Sequence, residues 1–100
     1  MFPMITGFAN QGSQDIYDGT NSKDARKVLP TELWAKAAKQ MSSIHAASQV
    51  GDLRLPPSNN LEKLSGNLDG KWSIRINKQY RVVFRFEGGN ASEVEVTDYH

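Results

Sequence analysis

The strongest constraint on the fold is an alternation of apolar and polar residues that begins at Lys71 and runs towards the C-terminus. Alternation with a period of two indicates β-strands with one buried face. Turn-forming residues divide the segment into three strands, KWSIRIN, QYRVVFRF and SEVEVT. The apolar residues that alternate along these strands have even numbers: Trp72, Ile74, Ile76, Tyr80, Val82, Phe84, Phe86, Val94 and Val96. We therefore predict two consecutive antiparallel hairpins whose even-numbered face is buried.

This shared parity limits how the first hairpin can pair. Residues directly opposite each other in an antiparallel ladder lie on the same face, so their numbers must add up to an even value. Ile76 opposite Tyr80 satisfies the rule, with residues 77–79 as the loop. The same register places Arg75 opposite Arg81 on the other face of the sheet.

The second hairpin has two registers of the correct parity. Its loop contains Gly88, Gly89 and Asn90. The pairs of the first register are Arg81 with Thr97, Phe84 with Val94, Arg85 with Glu93 and Phe86 with Ser92. The second register is shifted by two residues and places Arg81 opposite Tyr99. The sequence leaves both open, but in either case Arg85 has a glutamate within reach and is expected to form a structural ion pair.

The N-terminal half is predicted to supply the helices that cover the buried face. The run MITGF is typical of a first strand, Met4 to Phe8, and Gln14 to Asp18 of one helical turn before Gly19. Asn21 and Ser22 are candidate N-caps for a second helix, KDARKVL.

A longer helix, TELWAKAAKQMSSIHAAS, is predicted to begin at Thr31 after Pro30. Its apolar stripe at helical spacing comprises Leu33, Ala37, Met41, Ile44 and Ser48, widened by Trp34, Ala38 and His45. The side predicted to face solvent carries Lys36, Lys39, Gln40 and Ser43, a solvated surface rather than a docking patch. The paired prolines of QVGDLRLPPSNN then predict an extended linker.

Together these segments predict an α+β fold in which N-terminal helices pack on a small antiparallel sheet. A chain of 100 residues has the length of a single domain, residues 1–100. It has no cysteine, which fits a reducing cytoplasm. MFPMITGFANQ lacks the features of a signal peptide, and no stretch approaches the roughly 18 apolar residues of a membrane span. We expect a cytoplasmic protein with no membrane partner.

Composition also narrows the chemistry. A formal net charge of +1 does not indicate a general nucleic-acid binder, so any basic footprint must be local. The two histidines are far apart and lack ligand spacing, so we expect no metal and no cofactor. His45 lies mid-helix and is expected at the edge of the core. Motifs for a nucleophile elbow, a phosphate loop or a dinucleotide site are absent from the sequence.

The odd-numbered face of the predicted sheet is charged. It carries Arg75, Arg81, Arg85, Glu93, Glu95 and Tyr99. Arg75 and Arg81 have no carboxylate partner in this predicted sheet, and opposed arginines destabilise a ladder. Either the two guanidinium groups are solvated and bend apart, or they form an anion site.

The chain ends in an acid, a phenol and an imidazole: Asp98, Tyr99 and His100. Cleavage of RNA without a metal needs a base for the 2′-hydroxyl, an acid for the leaving oxygen and a cation for the phosphorane. Histidine and carboxylates can exchange the protons, arginine can bind the phosphorane, and tyrosine can stack on a base. Alternatively, the histidine is a surface residue and Asp98 pairs with a nearby lysine.

The hairpin WSIRIN…YRVVFRF and the closing DYH resemble the HigB (host inhibition of growth, or plasmid-maintenance killer) group of the RelE/ParE toxin superfamily. The likeness extends to the MITGF strand, to DIYDG…NSKDARKVLP and to DLRLPPSNNLEKL. It implies a microbial ribonuclease-like α+β fold and ribosome-dependent cleavage of mRNA that inhibits translation. It also implies a helix-turn-helix (HigA-like) antitoxin as partner, with operator DNA contacted only through the antitoxin.

The resemblance also implies roles for particular residues. Arg81 matches the family's phosphate-contacting arginine, and Asp98, Tyr99 and His100 match its C-terminal cluster. His100 would be general acid or base and Tyr99 would orient or stack on the base. Arg75 would assist Arg81 at the phosphorane.

Glu62 is the main departure from the family pattern. Many members carry a histidine before the hairpin, and counting back from Trp72 places Glu62 at that position. Glu62 or Asp98 would complement His100 in proton transfer. Alternatively, Glu62 is a solvated loop residue.

Positive charge for the RNA must come from a local cluster. Many members of the family carry a lysine at the position that Ser65 occupies here. Lys63 or Lys71 would supply the positive charge in its place. The basic residues expected on one surface are Arg54, Lys63, Lys71, Arg75, Lys78 and Arg81.

Other classes of function fit the same residues. A non-catalytic or weakly catalytic member could act as a binding module, either as an antitoxin-bound co-repressor or as a gyrase-type inhibitor. A third interpretation is a small folded domain whose DYH ending is incidental. The ending favours the nuclease.

Overall fold

The computed structural model describes residues 4–98. Within them the strands are β1 (Met4–Ile5), β2 (Glu62–Lys63), β3 (Lys71–Arg75), β4 (Tyr80–Glu87) and β5 (Asn90–Asp98). The helices are α1 (Gln11–Asp18), α2 (Lys23–Val28) and α3 (Trp34–Ala46). The strands form one sheet in the order β1-β5-β4-β3-β2, and the helices pack on one face of it. The predicted α+β architecture is confirmed.

The first hairpin has the predicted register. Ile74 lies opposite Val82, and Arg75 lies opposite Arg81. The Ile76 N–H donates to the carbonyl oxygen of Tyr80 at 2.9 Å, which closes the loop 77–79. Parity alone was sufficient here because the ladder contains no inserted residue.

The second hairpin follows the register that places Arg81 opposite Thr97, but only up to Val83 opposite Glu95. Beyond that point Arg85 lies opposite Ser92, and Phe86 faces Ala91. The predicted strand pairings of Arg85 with Glu93 and of Phe86 with Ser92 are therefore wrong.

The reason for the change of register is a β-bulge at Glu93. Glu93 adopts a left-handed backbone conformation with φ of 51°, so that one extra residue is inserted in β5. Ala91 and Val94 are both fully buried although their numbers differ in parity, and the bulge makes this possible. The turn through Gly88 and Gly89 needs positive φ at both residues, as two-residue hairpin turns do.

The two edge strands are short. β1 runs parallel to β5, so the sheet is mixed, and Phe8 makes an isolated parallel bridge to Val94. The predicted first strand, Met4 to Phe8, is thus only partly regular. β2 was not predicted: Glu62 lies opposite Ser73 and Lys63 opposite Trp72 on the other edge.

The first two helices begin at side-chain caps. The Asn10 side chain accepts from the Ser13 N–H at 2.8 Å, and Ser22 Oγ accepts from the Ala25 N–H at 3.0 Å. Of the two candidate caps for the second helix, Ser22 is therefore the N-cap. α1 ends at Gly19, whose left-handed φ of 80° favours glycine.

The third helix buries one residue that was predicted to face solvent. Ala37, Met41 and Ile44 are buried as expected, but Gln40 is only 9% exposed. Its Nε2 donates to the carbonyl oxygen of Arg75 at 2.6 Å, so the amide ties α3 to the end of β3. Ser48, predicted on the apolar stripe, is exposed beyond the helix end.

The linker before β2 is not extended, and that prediction is wrong. It folds into 3-10 turns at Val50–Arg54 and Pro57–Asn59, with a cis peptide bond between Leu55 and Pro56. The buried Asn59 side chain donates to the carbonyl oxygens of Leu53 and Leu55 at 3.2 and 3.4 Å. These bonds satisfy backbone acceptors that an extended segment would leave to water.

The even-numbered face of the sheet forms the core, as predicted. Ile74, Val82, Phe84 and Val94 are fully buried against the helices. Among residues 4–98, the helices are too short and too polar to cross a bilayer.

Candidate functional site

Arg81 is the central charged group of the odd-numbered face, and it is only 7% exposed. Its Nη1 donates to Ser73 Oγ at 2.6 Å and to the Asn60 carbonyl oxygen at 3.5 Å. Its Nη2 donates to Glu62 Oε1 at 3.2 Å. The prediction that Arg81 has no carboxylate partner is wrong, because β2 adds a strand that the alternation pattern did not reveal.

The ion pair between Glu62 and Arg81 has one buried and one exposed member. The Arg81 side chain is 9% exposed, whereas that of Glu62 is 44% exposed. Burial of a guanidinium group requires hydrogen-bond partners, which Ser73 and Glu62 supply. The arrangement fixes a cation at the sheet surface with a solvent-accessible carboxylate beside it.

Asp98 occupies the last described position of β5. It lies opposite Tyr80, whereas Thr97 lies opposite Arg81, so the alternation of the strand assigns Asp98 to the face of Tyr80. Asp98 Oδ2 accepts from Gln79 Nε2 at 3.0 Å, which connects the strand end to the β3–β4 turn.

Tyr99 and His100 lie outside the described residues. The roles predicted for them stay predictions.

Arg75 is the neighbour of Arg81 across the ladder. Its Nε donates to the Asn77 carbonyl oxygen at 3.1 Å, and within residues 4–98 it has no ion pair. The two residues are opposite each other in the ladder, but their side chains have different partners. Arg81 is paired with the carboxylate of Glu62, whereas Arg75 is bound to the β3–β4 turn.

The two lysines predicted to bind RNA lie in different surroundings. Lys63 follows Glu62, and its Nζ lies 5.9 Å from the centroid of the Trp72 ring. Lys71 is opposite Arg85, about 13 Å along β3 from Arg75, with its Nζ 3.6 Å from Glu93 Oε1.

Glu93 joins Lys71 and Arg85 in one ion-pair network. Arg85 Nε donates to Glu93 Oε2 at 2.8 Å, which confirms the predicted structural pair. This hydrogen bond, followed by the charge of Lys71, lowers the pKa of the Glu93 carboxyl, and the same bond raises the pKa of Arg85.

His45 lies at the edge of the core, as predicted. Its Nδ1 accepts from the Ile5 N–H at 3.0 Å, which joins α3 to β1. Over residues 4–98, His, Asp and Glu side chains do not come together in threes as a metal site requires.

Four of the six residues of the predicted basic cluster fall into two sets. Lys71 and Arg81 contact carboxylates, whereas Arg75 and Lys78 line a cleft with Lys36 from α3. Sequence reasoning missed Lys36 because helical periodicity assigned it to solvent without indicating which loop would lie beside it.

Comparison with known sequences identifies one family. The family described as RelE-like toxin of type II toxin-antitoxin system HigB matches residues 7–100. Toxin HigB-1 of Vibrio cholerae is 40% identical over 65 residues, which cover 65% of this chain and 68% of that protein. Endoribonuclease HigB of Proteus vulgaris is 26% identical over 97 residues, which cover 97% of this chain and 100% of that protein.

Solved structures support the fold. A YoeB–YefM toxin–antitoxin complex from Staphylococcus aureus contains a chain with a TM-score of 0.54 and 17% identity, covering 100% of this chain and 99% of that chain. A YoeB/ParE toxin from Agrobacterium tumefaciens has a TM-score of 0.52 and 19% identity, covering 97% and 99%. At these identities the likeness concerns the architecture alone.

Proposed function

The chain belongs to the HigB family of RelE-like toxins of type II toxin–antitoxin systems, and we propose that it is a ribosome-dependent, metal-independent endoribonuclease. Cleavage of mRNA would inhibit translation in the cytoplasm. The observation that carries this proposal is the Arg81 guanidinium, which is buried and held in one orientation by the hydrogen bond to Ser73 Oγ at 2.6 Å. The name of the Proteus vulgaris relative, an endoribonuclease, supports the same activity.

Membership of a type II toxin family means that an antitoxin is the partner. We propose that this antitoxin is a HigA-like helix-turn-helix protein. The toxin would then contact operator DNA only through the antitoxin, and residues 1–100 would act as one toxin domain.

The proposed reaction is an attack of the ribose 2′-oxygen on the adjacent phosphorus. The new P–O bond forms as the bond to the 5′-oxygen breaks, leaving a 2′,3′-cyclic phosphate and a 5′-hydroxyl. Glu62 or Asp98 takes the proton of the 2′-hydroxyl, and His100 protonates the departing 5′-oxygen. Glu62 is the better placed of the two bases, because it contacts Arg81, whereas the alternation of β5 assigns Asp98 to the face of Tyr80. Tyr99 orients the base by stacking.

Arg81 stabilises the charge of the phosphorane. A buried guanidinium acts strongly on developing charge because its orientation is fixed before the substrate arrives. Ser73 provides that fixed orientation through the 2.6 Å hydrogen bond to Nη1. A bound phosphate competes with Glu62 for Arg81 and releases the carboxylate for proton transfer.

A second candidate is a toxin that binds without cutting, as a co-repressor with its antitoxin or as a gyrase-type inhibitor. The ion pair of Glu62 with Arg81 favours this alternative, since it places negative charge where an RNA phosphate must approach.

Growth and mRNA cleavage after induced expression test the proposal. Arg81→Ala and His100→Ala are each expected to restore growth and to reduce cleavage by about 100-fold or more, as mapped by primer extension. Arg26→Ala, an exposed change on α2, is the control and should remain toxic. Arg81→Lys separates loss of charge from loss of the guanidinium geometry.

Two results would contradict the assignment. Unchanged toxicity of both Arg81→Ala and His100→Ala would remove these residues from the mechanism. Tight antitoxin binding by a wild-type toxin that produces no mRNA cuts would favour the binding module.

A further inference from the structure

A basic cleft lies between α3, the turn at Pro57–Asn59 and the β3–β4 turn. Its volume is about 340 Å³, and its lining residues are Lys36, Ser58, Arg75, Ile76, Asn77 and Lys78. Three of these side chains are cations, and none is a carboxylate.

A second cleft of about 170 Å³ continues the first along α3. The two share Lys36 and Ser58, and the second adds Lys39 and Ser43. Its lining also lacks carboxylates. We call the combined feature the basic groove and define it by Lys36, Lys39, Ser58, Arg75 and Lys78.

Two of the four cations of the basic groove are positioned by backbone carbonyl oxygens rather than by carboxylates. Lys36 Nζ donates to the carbonyl oxygen of Ile76, and Arg75 Nε donates to that of Asn77. The ion pairs found in residues 4–98 instead involve Lys71, Arg81 and Arg85.

Arg75 is held in place from both sides. Gln40 Nε2 binds its carbonyl oxygen, while Arg75 Nε is bound to the turn. The Nη groups of Arg75 have no hydrogen-bond partner in the described part of the chain. They are the donors that a phosphate would bind bidentately.

We propose that the basic groove binds the phosphodiester backbone of single-stranded RNA next to the linkage that is cut. The inference rests on the proposed nuclease function and extends it to a second phosphate site. Arg75 lies opposite Arg81 on the adjacent strand, so the groove begins about 5 Å from the strand of the catalytic arginine.

The lining residues also indicate which parts of an RNA strand the basic groove would contact. Lysines, an arginine, hydroxyl groups and side-chain amides are typical contacts to phosphate and sugar, which position a strand without reading its sequence. The lining residues of both clefts include no aromatic side chain on which a base could stack. The groove therefore contributes affinity that is independent of sequence and sensitive to salt.

Binding of an uncleavable 2′-O-methyl oligoribonucleotide at several salt concentrations tests the proposal. The double variant Lys39→Ala/Lys78→Ala should weaken binding at low salt by about 10-fold. Its log–log salt slope should fall by about 0.7 for each phosphate contact removed. The control Lys23→Ala/Lys27→Ala makes the same change of charge on α2 and should bind as wild type does.

The possible results separate the groove from the nuclease assignment. Binding by the groove variant that equals wild type, or a wild type that does not bind the probe at low salt, overturns the groove proposal. Loss of antitoxin binding with unchanged probe binding also overturns it, because the groove would then hold an acidic protein segment. Salt-dependent binding through Lys39 and Lys78 without mRNA cuts supports the groove and rejects the nuclease.

Discussion

The basic residues at the two ends of the β3–β4 hairpin have different partners. The open end is the end away from the β3–β4 turn. At the open end, Lys71 and Arg85 both contact the carboxylate of Glu93, at 3.6 and 2.8 Å. At the turn end, Arg75 and Lys78 have no carboxylate partner within residues 4–98. Basic residues at the open end thus form ion pairs within the fold, whereas those at the turn end leave positive charge available for a ligand.

The bulge in β5 explains part of this difference. The left-handed residue of the bulge is Glu93 itself, and the register shift there leaves its side chain in contact with Arg85. Near the turn the ladder is regular, and the residue opposite Arg75 is another arginine. Arg81 differs from both groups, because it has a carboxylate partner, Glu62, but that partner belongs to β2 and not to the hairpin or to β5.

The largest effect on stability is expected when the support of Arg81 is removed. Ser73→Ala should lower the free energy of unfolding by about 1–3 kcal/mol, because a buried charged donor loses its acceptor. Ser58→Ala makes the same change in the basic groove, where the residue is exposed, and should change stability by less than about 0.5 kcal/mol. Urea unfolding of both variants measures the contrast, and equal effects would contradict it.

A smaller effect is expected at the open end. Gly70 has φ of +90°, and an added Cβ would lie 2.6 Å from Arg85 Nη1. Gly70→Ala should therefore destabilise the protein by about 1–2 kcal/mol and displace Arg85 from Glu93. Gly51→Ala, with open space around its Cβ, is the control and should be neutral or stabilising by up to about 1 kcal/mol. A Gly70→Ala variant with wild-type thermal stability would contradict this prediction, because neither the positive φ nor the close approach to Arg85 Nη1 would then cost stability.

The smallest effect concerns the pH dependence of the Glu93 network. Arg85, and then Lys71, lower the pKa of Glu93 in the folded protein. A lowered folded pKa stabilises the fold above the ordinary glutamate value of about 4.3, and the contribution is lost as the pH falls through the folded value.

Glu93→Gln should consequently be less stable than wild type at pH 7, and the difference in stability should close as the pH falls through the lowered pKa of folded Glu93. Thermal unfolding across this range measures the gap. Glu95→Gln serves as the control because Glu95 has no ion pair within residues 4–98. A gap for Glu93→Gln that persists unchanged at pH 3 would exclude the ionised network as its cause.

Local patterns were sufficient where short-range physics decides the structure. A cap for α2 at Asn21 or Ser22, the end of α1 at Gly19 and the first hairpin all depend on neighbouring residues and on strand parity. The bulge at Glu93 carried one signal in the sequence, the apolar Ala91 out of phase with Val94, but one small residue does not outweigh a regular alternation.

In the candidate site, too, the sequence predicted some features and the tertiary structure decided others. Resemblance of the hairpin and the terminal residues was enough to select Arg81 and Glu62, but not to reveal that they contact each other. That contact depends on β2, whose two residues pair with β3 only because the preceding linker folds into turns. Lys36 lines the basic groove because of how α3 packs beside the β3–β4 turn, and the helical periodicity of the sequence does not predict that packing.

The sequence by itself determined the alternating sheet, the helices that cover it and the family, because these follow from side-chain periodicity and local caps. Only the tertiary structure decided which cations are paired with carboxylates and which face a cleft. The physical reason is that ion pairing depends on distances of a few ångströms between residues far apart in the chain, and chain folding alone sets those distances.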